Sequence, residues 1–368
     1  MKQHKTKIII SGGGSGGHVF PAIAIANALK ESIENVEILF VGAIGKMEME
    51  KVPAAGYRIE GLWISGLQRR LTFKNLSFPF KLLYSLYKAK KIIKEFKPDL
   101  AIGVGGFASG PLLQMASKLG IPCMIQEQNS YPGITNILLS KKVDKICVAY
   151  DGLEKYFPED KIYLTGNPVR KDVVQIENKK VEASNFFSLN IDKPTVLVVG
   201  GSLGARTINE AIEHNLSNFT KNGIQLIWQT GINYFPTAQS TMMHHPDNGL
   251  KVLKFINRMD LAYAMADIVI SRAGAIAISE LCIVGKPTIL VPSPFVAEDH
   301  QTKNALALFT YNAAILVKDV ELKTKLWKEL FALLNDSERQ NKLSENIYAL
   351  AKLDATNSIV AVAKTLFK

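Results

Sequence analysis

The residues best suited to binding an oxygen-rich ligand lie at positions 271–280, in the sequence SRAGAIAISE. An apolar run at 266–270, typical of a buried parallel strand, precedes them. The apolar segment that follows ends at Gly285 and Pro287, which are common signals for the end of a helix. We therefore predict a strand-to-helix turn, with Gly274 allowing close backbone approach. The unpaired amides and the positive end of such a helix favour an anionic ligand.

Glu280 is the only acid in this apolar helix. An ionised carboxylate is costly to bury without hydrogen-bond partners. The hydroxyl groups of a ribose would be suitable donors to it, which makes Glu280 a candidate ligand-binding residue. The alternative is a glutamate that caps the helix or forms a salt bridge.

Three further glycine-rich turns follow predicted strands, at residues 12–18, 103–111 and 200–206. The first formally fits the G-x-G-x-x-G pattern of dinucleotide-binding proteins. However, the next predicted strand, residues 36–41, ends at Gly42 with no acidic residue to bind an adenosine ribose. A nicotinamide-dependent enzyme is therefore disfavoured.

Two polar side chains in these turns have both a chemical and a structural interpretation. His18 lies where the first turn becomes a helix, and imidazole is well suited to accept a proton near neutral pH. It is a candidate general base, or else a histidine that anchors the loop backbone. Ser202, in the turn at 200–206, is a candidate ligand contact or a simple helix cap.

Strands and helices alternate along the chain, which predicts an α/β fold with parallel sheets covered by helices on both faces. The 368 residues are enough for two domains. We predict two Rossmann-like domains whose sheets face a cleft. The first spans residues 1–168 with a returning C-terminal helix at about 353–368, and the second spans residues 169–352.

The formal net charge of +11 and the pI near 9.3 indicate an anionic partner. Cys123, Cys147 and Cys282 lie apart in apolar surroundings, so we expect buried thiols rather than disulfides or a zinc site. The apolar run at residues 8–10 is too short for a signal peptide, and no stretch reaches membrane-spanning length.

Residues 67–97 combine many lysines and arginines with aromatic and aliphatic side chains, against the single acid Glu95. This composition fits a basic amphipathic patch on an anionic bilayer. The alternative is an ordinary helix with a solvated basic face. Nucleic acid is not favoured, because no recognised binding motif accompanies the charge. The candidate membrane residues surround Pro79: Phe73, Lys74, Phe78, Phe80 and Lys81.

Six motifs in this order and spacing resemble the MurG family, the UDP-N-acetylglucosamine transferases of bacterial peptidoglycan synthesis. They span essentially the whole chain and lie at residues 13–18, 103–111, 126–129, 167–170, 200–205 and 271–280. The resemblance implies an inverting, metal-independent glycosyltransferase of the B type that needs no cofactor. No Asp-x-Asp metal motif occurs in the chain.

The family also implies the substrates and the place of action. The donor is UDP-N-acetylglucosamine, and the acceptor is lipid I, undecaprenyl-diphosphoryl-N-acetylmuramoyl-pentapeptide. The product is lipid II. We therefore expect a peripheral protein at the cytoplasmic face of the plasma (inner) membrane. Ser15 replaces a frequent threonine and keeps the hydroxyl, whereas Gln126 replaces a frequent histidine, so no imidazole role transfers to it.

On the donor side, the resemblance implies that Glu280 binds the ribose hydroxyls and that the Ile256 backbone contacts uracil. Ser202 and residues 201–205 would bind the diphosphate, with Arg170 adding positive charge. Gln301 would bond the sugar hydroxyls. The rest of the nucleotide site would be Ala275, Ile276, Ala277, Ile278 and Ser279.

On the acceptor side, the resemblance makes His18 the general base for the attacking sugar hydroxyl. The residues facing the transferred sugar and the acceptor would be Ser15, Gly16, Gly17 and Asn129. The acceptor and diphosphate loops would include Gly14, Gly105, Gly106, Phe107 and Ser109.

Two other functions remain open from the sequence. One is another membrane-surface nucleotide-sugar transferase, such as a diacylglycerol glucosyltransferase, although the donor-side loop pattern disfavours it. The other is a non-catalytic membrane-surface scaffold, against which Glu280, Arg170 and His18 argue because all three are intact.

Overall fold

Two parallel β-sheets organise the chain, one in each of two units. The computed structural model describes residues 5–66, 77–169, 173, 175–245, 249–296 and 299–367. Unit 1 comprises Met1–Val169 and Asp354–Lys368, and unit 2 comprises Arg170–Leu353.

Unit 1 alternates strands with helices from its first strand onward. Its strands are β1 (Thr6–Gly12), β2 (Val36–Ala43), β3 (Arg58–Leu62), β4 (Leu100–Gly105), β5 (Cys123–Glu127), β6 (Lys145–Val148) and β7 (Ile162–Leu164). Its helices are α1 (Gly16–Ser32), α2 (Glu48–Ala54), α3 (Phe78–Phe96), α4 (Ser109–Lys118), α5 (Ile134–Ser140) and the C-terminal α15 (Ala355–Lys364).

The sheet of unit 1 has the strand order β3-β2-β1-β4-β5-β6-β7. Consecutive residues of β1 point to opposite faces, so Ile9 packs into one apolar core while Ile8 and Ile10 pack into the other. Both cores are buried, which explains why the strands are continuously apolar. Helix α15 returns to this unit and buries Ile359 and Val360 in the core that contains Ile8.

Unit 2 repeats the alternation with a smaller sheet. Its strands are β8 (Thr195–Val199), β9 (Gln225–Gln229), β10 (Leu250–Leu253), β11 (Ile268–Ser271), β12 (Thr288–Leu290) and β13 (Ile315–Leu316). Its helices are α6 (Lys180–Phe187), α7 (Arg206–His214), α8 (Leu216–Lys221), α9 (Phe235–Met242), α10 (Met259–Met265), α11 (Ala275–Val284), α12 (His300–Phe309), α13 (Leu322–Leu334) and α14 (Ser337–Ala349).

The strand order in unit 2 is β10-β9-β8-β11-β12-β13, again parallel throughout. Each sheet therefore changes winding direction once, between β1 and β4 in unit 1 and between β8 and β11 in unit 2. Open α/β sheets bind ligands at such a switch point, outside the carboxyl ends of the strands. The four glycine turns predicted from the sequence follow these four strands, two at each switch point.

The predicted α/β class with two Rossmann-like domains is confirmed. Strand β10 ends at Leu253 and leaves Ile256 in the connection to α10. The three cysteines are buried and free, as expected. Burial raises the pKa of each thiol to about 12, so all three are protonated at neutral pH.

A buried carboxylate holds α10 against the residues that begin α6. Asp260 accepts hydrogen bonds from Arg258 at 2.8 and 2.9 Å and from Lys179 Nζ at 2.9 Å. The hydrogen bonds from Arg258, followed by those from Lys179, hold the pKa of Asp260 well below its usual range. Its ionised form is therefore more favourable in the folded protein than in the unfolded chain.

We predict that Asp260→Asn destabilises unit 2 by about 2 kcal/mol at pH 7, the cost of hydrogen bonds to a charged group. Because the folded pKa is depressed, this contribution is present above the unfolded pKa of ~3.9 and is lost as the pH falls below it. The difference between variant and wild type should thus shrink toward pH 3. Urea unfolding followed by tryptophan fluorescence measures it, since two of the three tryptophans, Trp228 and Trp327, are in unit 2. The exposed Asp192→Asn should show no such difference.

Candidate functional site

The two glycine turns of unit 1 touch each other through their backbones. The N–H of Gly13 donates to the carbonyl of Gly105 at 3.2 Å. Gly106 has φ +93°, and a Cβ there would lie 2.3 Å from the carbonyl oxygen of Gly13. Only glycine permits both this conformation and this approach. The contact brings the turns after β1 and β4 together at the switch point.

His18 lies in the first turn of α1, at the same contact. Its Nδ1 is 3.2 Å from the hydroxyl of Ser15, the N-cap residue of the helix. A Cβ at Gly105 would lie 2.5 Å from Cδ2 of His18, so the imidazole rests directly on this glycine. When Nδ1 donates its proton to Ser15, Nε2 is left as the proton acceptor. The predicted residues Ser15, Gly16, Gly17, His18, Gly105 and Gly106 therefore lie at one edge of the sheet.

Two predicted acceptor-loop residues use their polar groups inside the protein instead. The hydroxyl of Ser109 is buried and donates to the carbonyls of Ser11 and Gly105 at 3.0 and 2.9 Å. The N–H of Gly14 donates to Oε2 of Glu48 at 2.9 Å. These two groups shape the loops. Phe107, by contrast, is partly exposed, with its ring beside Gly14.

Asn129 is held by a carboxylate to which the sequence analysis gave no role. Glu127, at the end of β5, is buried and accepts the backbone N–H and the side-chain amide of Asn129 at 3.0 and 3.2 Å. Its other oxygen accepts the N–H of Gly133 at 3.0 Å and the side chain of Asn136 at 2.8 Å. The partners satisfy the buried charge and fix the loop that carries Asn129.

The turn after β8 is packed as closely as those in unit 1. Gly204 has φ +78°, and a Cβ there would lie 1.9 Å from the carbonyl oxygen of Thr230. Helix α7 begins at Arg206 with Ala205 as its N-cap. Ser202 is exposed in the loop before it and does not cap the helix, so its capping interpretation is wrong.

The turn after β11 has the predicted strand-to-helix form. Gly274 is the N-cap of α11, and the first turn of this helix contains no acidic residue. A Cβ at Gly274 would have no neighbour within 4 Å, and its φ of −68° is open to any residue. The protein's own packing therefore does not require glycine here. Glu280 lies further along α11 with 8% of its surface exposed, and its Oε2 accepts the hydroxyl of Tyr263 at 3.3 Å.

A buried glutamine links the turn after β8 to the connection after β10. Gln229, at the end of β9, donates from Nε2 to the carbonyl of Gly201 at 3.0 Å. Its Oε1 accepts the N–H of Ile256 at 2.8 Å. The backbone N–H of Ile256 is therefore already hydrogen-bonded. The predicted sugar-binding Gln301, near the start of α12, accepts the N–H of Ser293 through Oε1 at 2.8 Å.

Arg272 joins the two glycine turns of unit 2. It follows β11, and its guanidinium is paired with Asp319 and bonded to the hydroxyl of Thr207 at 2.9 Å. Thr207 belongs to the first turn of α7. Neither Arg272 nor Asp319 could be assigned a role from the sequence, because a long-range ion pair leaves no local pattern.

The predicted membrane residues are only partly described. Phe73 and Lys74 lie outside the described residues, as does Arg170, which was predicted to bind the donor diphosphate. Phe78 is partly buried against the core of unit 1, and Pro79 lies in the first turn of α3, where proline is tolerated.

The outward surface of α3 is nevertheless strongly apolar and basic. Phe80 is 71% exposed and Tyr87 70%, with Leu83 and Tyr84 also exposed. The Nζ of Lys81 lies 5.5 Å from the centre of the exposed Trp63 ring. Five lysines and one glutamate occur along this helix.

Within the described ranges, no group of three or more His, Cys, Asp or Glu side chains is placed to hold a metal ion. What these sheet edges offer a ligand is hydrogen bonding: amides at the starts of α1, α7 and α11, hydroxyls, a carboxylate and an imidazole. Such groups can bind the phosphates and hydroxyls of a nucleotide sugar and accept a proton.

Two Rossmann-like units with polar switch points are the architecture of glycosyltransferases of the B type. Comparison with protein families supports this class directly. Residues 8–148 match the glycosyltransferase family 28 N-terminal domain, and residues 195–359 match the glycosyltransferase family 28 C-terminal domain.

Curated relatives match this chain over nearly its whole length. A protein of Cytophaga hutchinsonii is 56% identical over 359 residues, which cover 98% of this chain and 96% of the relative. One of Flavobacterium psychrophilum is 55% identical over 363 residues, covering 98% and 97%. Both are named UDP-N-acetylglucosamine–N-acetylmuramyl-(pentapeptide) pyrophosphoryl-undecaprenol N-acetylglucosamine transferase.

Among solved structures, the crystal structure of Acinetobacter baumannii MurG has a TM-score of 0.79 at 28% identity, covering 98% of this chain and all of that one. The chain belongs to glycosyltransferase family 28 and, within it, to the MurG family. The resemblance drawn from the sequence motifs is confirmed.

Proposed function

We propose that this protein transfers N-acetylglucosamine from UDP-N-acetylglucosamine to the muramoyl sugar of lipid I, giving lipid II for peptidoglycan synthesis. The observation that carries the proposal is identity above one half, over nearly the whole chain, to relatives named for this transfer. A diacylglycerol glucosyltransferase is not favoured, since these relatives are named for a different acceptor. A non-catalytic scaffold is not favoured either, because His18 and Glu280 are both present at their sheet edges.

We assign donor binding to unit 2. Glu280 would accept the ribose hydroxyls, and the open space at Gly274 would admit the nucleotide against residues 275–279 at the start of α11. Ser202 and the loop at 201–205 would bind the diphosphate near the amides that begin α7, with Arg170 as a further cation. Since the N–H of Ile256 is bonded to Gln229, contact of its backbone with uracil would use the carbonyl or a shared N–H. Gln301 would bond the transferred sugar.

We assign the acceptor and the proton transfer to unit 1. His18 would take the proton from the attacking sugar hydroxyl through Nε2, with Nδ1 oriented by Ser15. The hydroxyl oxygen then forms the new bond to the anomeric carbon as the bond to UDP breaks, which inverts that centre. Gly16, Gly17 and Asn129 would contact the sugar and the acceptor. Phe107, beside Gly14, would lie along the acceptor's path.

Stabilisation of the leaving UDP would come from fixed dipoles and hydrogen bonds of unit 2. Amides at helix starts are oriented before the reaction, so they favour the developing negative charge without reorganising. This arrangement needs no metal ion.

The proposal is tested by mass spectrometry of the product formed from UDP-N-acetylglucosamine and a lipid I analogue. We expect a mass gain of one N-acetylhexosamine, undiminished in excess EDTA. Transfer to diacylglycerol but not to lipid I would contradict the proposed acceptor. Loss of activity with EDTA and its rescue by magnesium or manganese would contradict metal independence.

We predict that Glu280→Ala weakens UDP binding about ten- to a hundredfold, because a hydrogen bond to a charged group is worth ~1.5–3 kcal/mol. Isothermal titration calorimetry with UDP measures the change. Glu338→Ala, an exposed glutamate on α14 of the same unit, should bind UDP as wild type does. Unchanged affinity in Glu280→Ala would remove this residue from the donor site.

We further propose that the protein works at the cytoplasmic face of the plasma (inner) membrane, held there by α3. In the part of the chain that the structure describes, no helix is long and apolar enough to cross a membrane. The lipid tail of the acceptor is costly to withdraw from the bilayer, so the enzyme must reach the surface. The exposed aromatic side chains of α3 can insert shallowly, while each basic residue near an anionic surface contributes roughly 1 kcal/mol.

We predict that replacing Phe80, Leu83 and Tyr87 with Ser strongly reduces sedimentation with vesicles containing anionic lipid. Turnover of a water-soluble acceptor should stay near the wild-type value, because these side chains are exposed and outside the glycine turns. The control is Met243→Ser with Val320→Ser, two exposed apolar residues of unit 2. Equal binding of the wild type to neutral and anionic vesicles would contradict an electrostatic contribution. Undiminished binding by the α3 variant would show that another surface contacts the membrane.

A further inference from the structure

Glu48 is a buried carboxylate directly behind the loop that carries Ser15 and His18. We propose that it is a positioning residue for the acceptor side of the reaction: it fixes the backbone of residues 12–17 so that His18 meets the acceptor hydroxyl. The inference rests on the proposed function and adds a residue that contacts neither substrate.

The carboxylate joins two parts of unit 1 that are distant in sequence. Oε1 accepts the N–H of Ala43, at the end of β2, at 3.0 Å. Oε2 accepts the N–H of Gly14, in the turn after β1, at 2.9 Å. Glu48 itself is the first residue of α2 and is 1% exposed. Each oxygen thus holds one backbone amide, and the side chain links β2, α2 and the glycine turn.

Two glycines make room for this side chain. A Cβ at Gly13 would lie 2.2 Å from Oε1 of Glu48, and a Cβ at Gly42 would lie 2.5 Å from its Cγ. A φ in the left-handed region is found at Gly14 but at neither of these two glycines, so their need for glycine comes mainly from the close approach of the Glu48 side chain. The position of the Glu48 side chain therefore explains why these two residues are glycines.

Placing this charge here works against the expected ligand. An anionic group behind a loop that approaches a sugar diphosphate repels it, and burying a carboxylate is costly unless its oxygens are hydrogen-bonded. An apolar side chain would fill the space without either cost, but it would not hold the amides of Ala43 and Gly14. By accepting these two amides, the carboxylate fixes the turn after β1. Since Gly13 also contacts the second glycine turn through Gly105 and Gly106, fixing it fixes both turns.

A change in this loop should affect the chemical step and leave UDP binding alone. A displacement of about 1 Å in a reacting group can lower the rate roughly a hundredfold. Glu48→Gln keeps the size of the side chain but presents an NH₂ group to one of the two N–H groups, so one hydrogen bond is lost. The assay uses full-length protein, UDP-N-acetylglucosamine and a soluble lipid I analogue. Calorimetry with UDP is run on the same samples.

We expect Glu48→Gln to lower kcat about ten- to a hundredfold at saturating donor, while the Kd for UDP stays within twofold of wild type. Glu50→Gln, on the same helix, is the matched control, because Glu50 is exposed and paired only with its neighbour Lys51 among the ion pairs described. It should match wild type in both measurements. Thermal unfolding of each variant accompanies the assays.

A second variant reaches the loop from the other side. Gly13→Ala leaves the carboxylate in place but inserts a methyl group against it, and should give the same selective loss of kcat. In a Gly13→Ala, Glu48→Ala double variant the new methyl group has space. The fold loss of kcat should therefore be smaller than the product of the losses in the single variants Gly13→Ala and Glu48→Ala. Wild-type kcat in Glu48→Gln, or an equal loss of UDP affinity and kcat in the folded variants, would overturn the proposal. Failure of the wild type to turn over the lipid I analogue would instead count against the proposed function.

Discussion

Backbone contact between neighbouring turns is the constraint on which both sheet edges depend. At the switch point of unit 1 the carbonyl of Gly13 lies where a side chain on Gly106 would be, and in unit 2 the carbonyl of Thr230 lies where one on Gly204 would be. Any side chain at either position would push the turns apart. Because the turns after adjacent strands are in contact, the helices that follow begin close to one another. Their first amides and the side chains of their first turns then share one edge of the sheet.

The backbone groups of such turns lack the regular hydrogen bonds of a helix or sheet, so buried side chains provide hydrogen-bond partners for them. Glu48 and Glu127 do this in unit 1, and Gln229 does it in unit 2. A backbone amide that is buried without a partner costs free energy, which is why these polar side chains are worth burying. Glu48 and Gln229 also join segments that are far apart in sequence. The catalytic and ligand-binding candidates are thus held by residues that need not touch a substrate.

Much of this fold could be predicted from local patterns. The apolar runs, such as residues 8–10 and 195–199, identify strands because a parallel sheet is buried on both faces. Glycines after those runs identify the turns, and the single acid in an otherwise apolar helix makes Glu280 a candidate ligand-binding residue. These signals need only neighbours in sequence. The family resemblance added the expected substrates and the expected roles of individual residues, which cannot be inferred from the periodicity of apolar residues.

The remaining features depend on which strands become neighbours. The burial of the Ser109 hydroxyl, at the start of α4, follows from its contact with Ser11 on β1, and the proposed role of Glu48 follows from its hydrogen bond with Gly14. Strand β10 stops at Leu253, before Ile256, because its partner β9 ends at the paired Gln229. Phe78 looks like its exposed neighbour Phe80 in sequence, and only the packing of α3 separates them.

If ligands bind at the turns of each switch point, the nucleotide should contact the turns of unit 2. Amide hydrogen–deuterium exchange with and without saturating UDP tests this most directly, because it reports every segment at once. We expect increased protection at residues 200–206 and 274–280. Protection confined instead to α9, or to the glycine turns of unit 1, would contradict it.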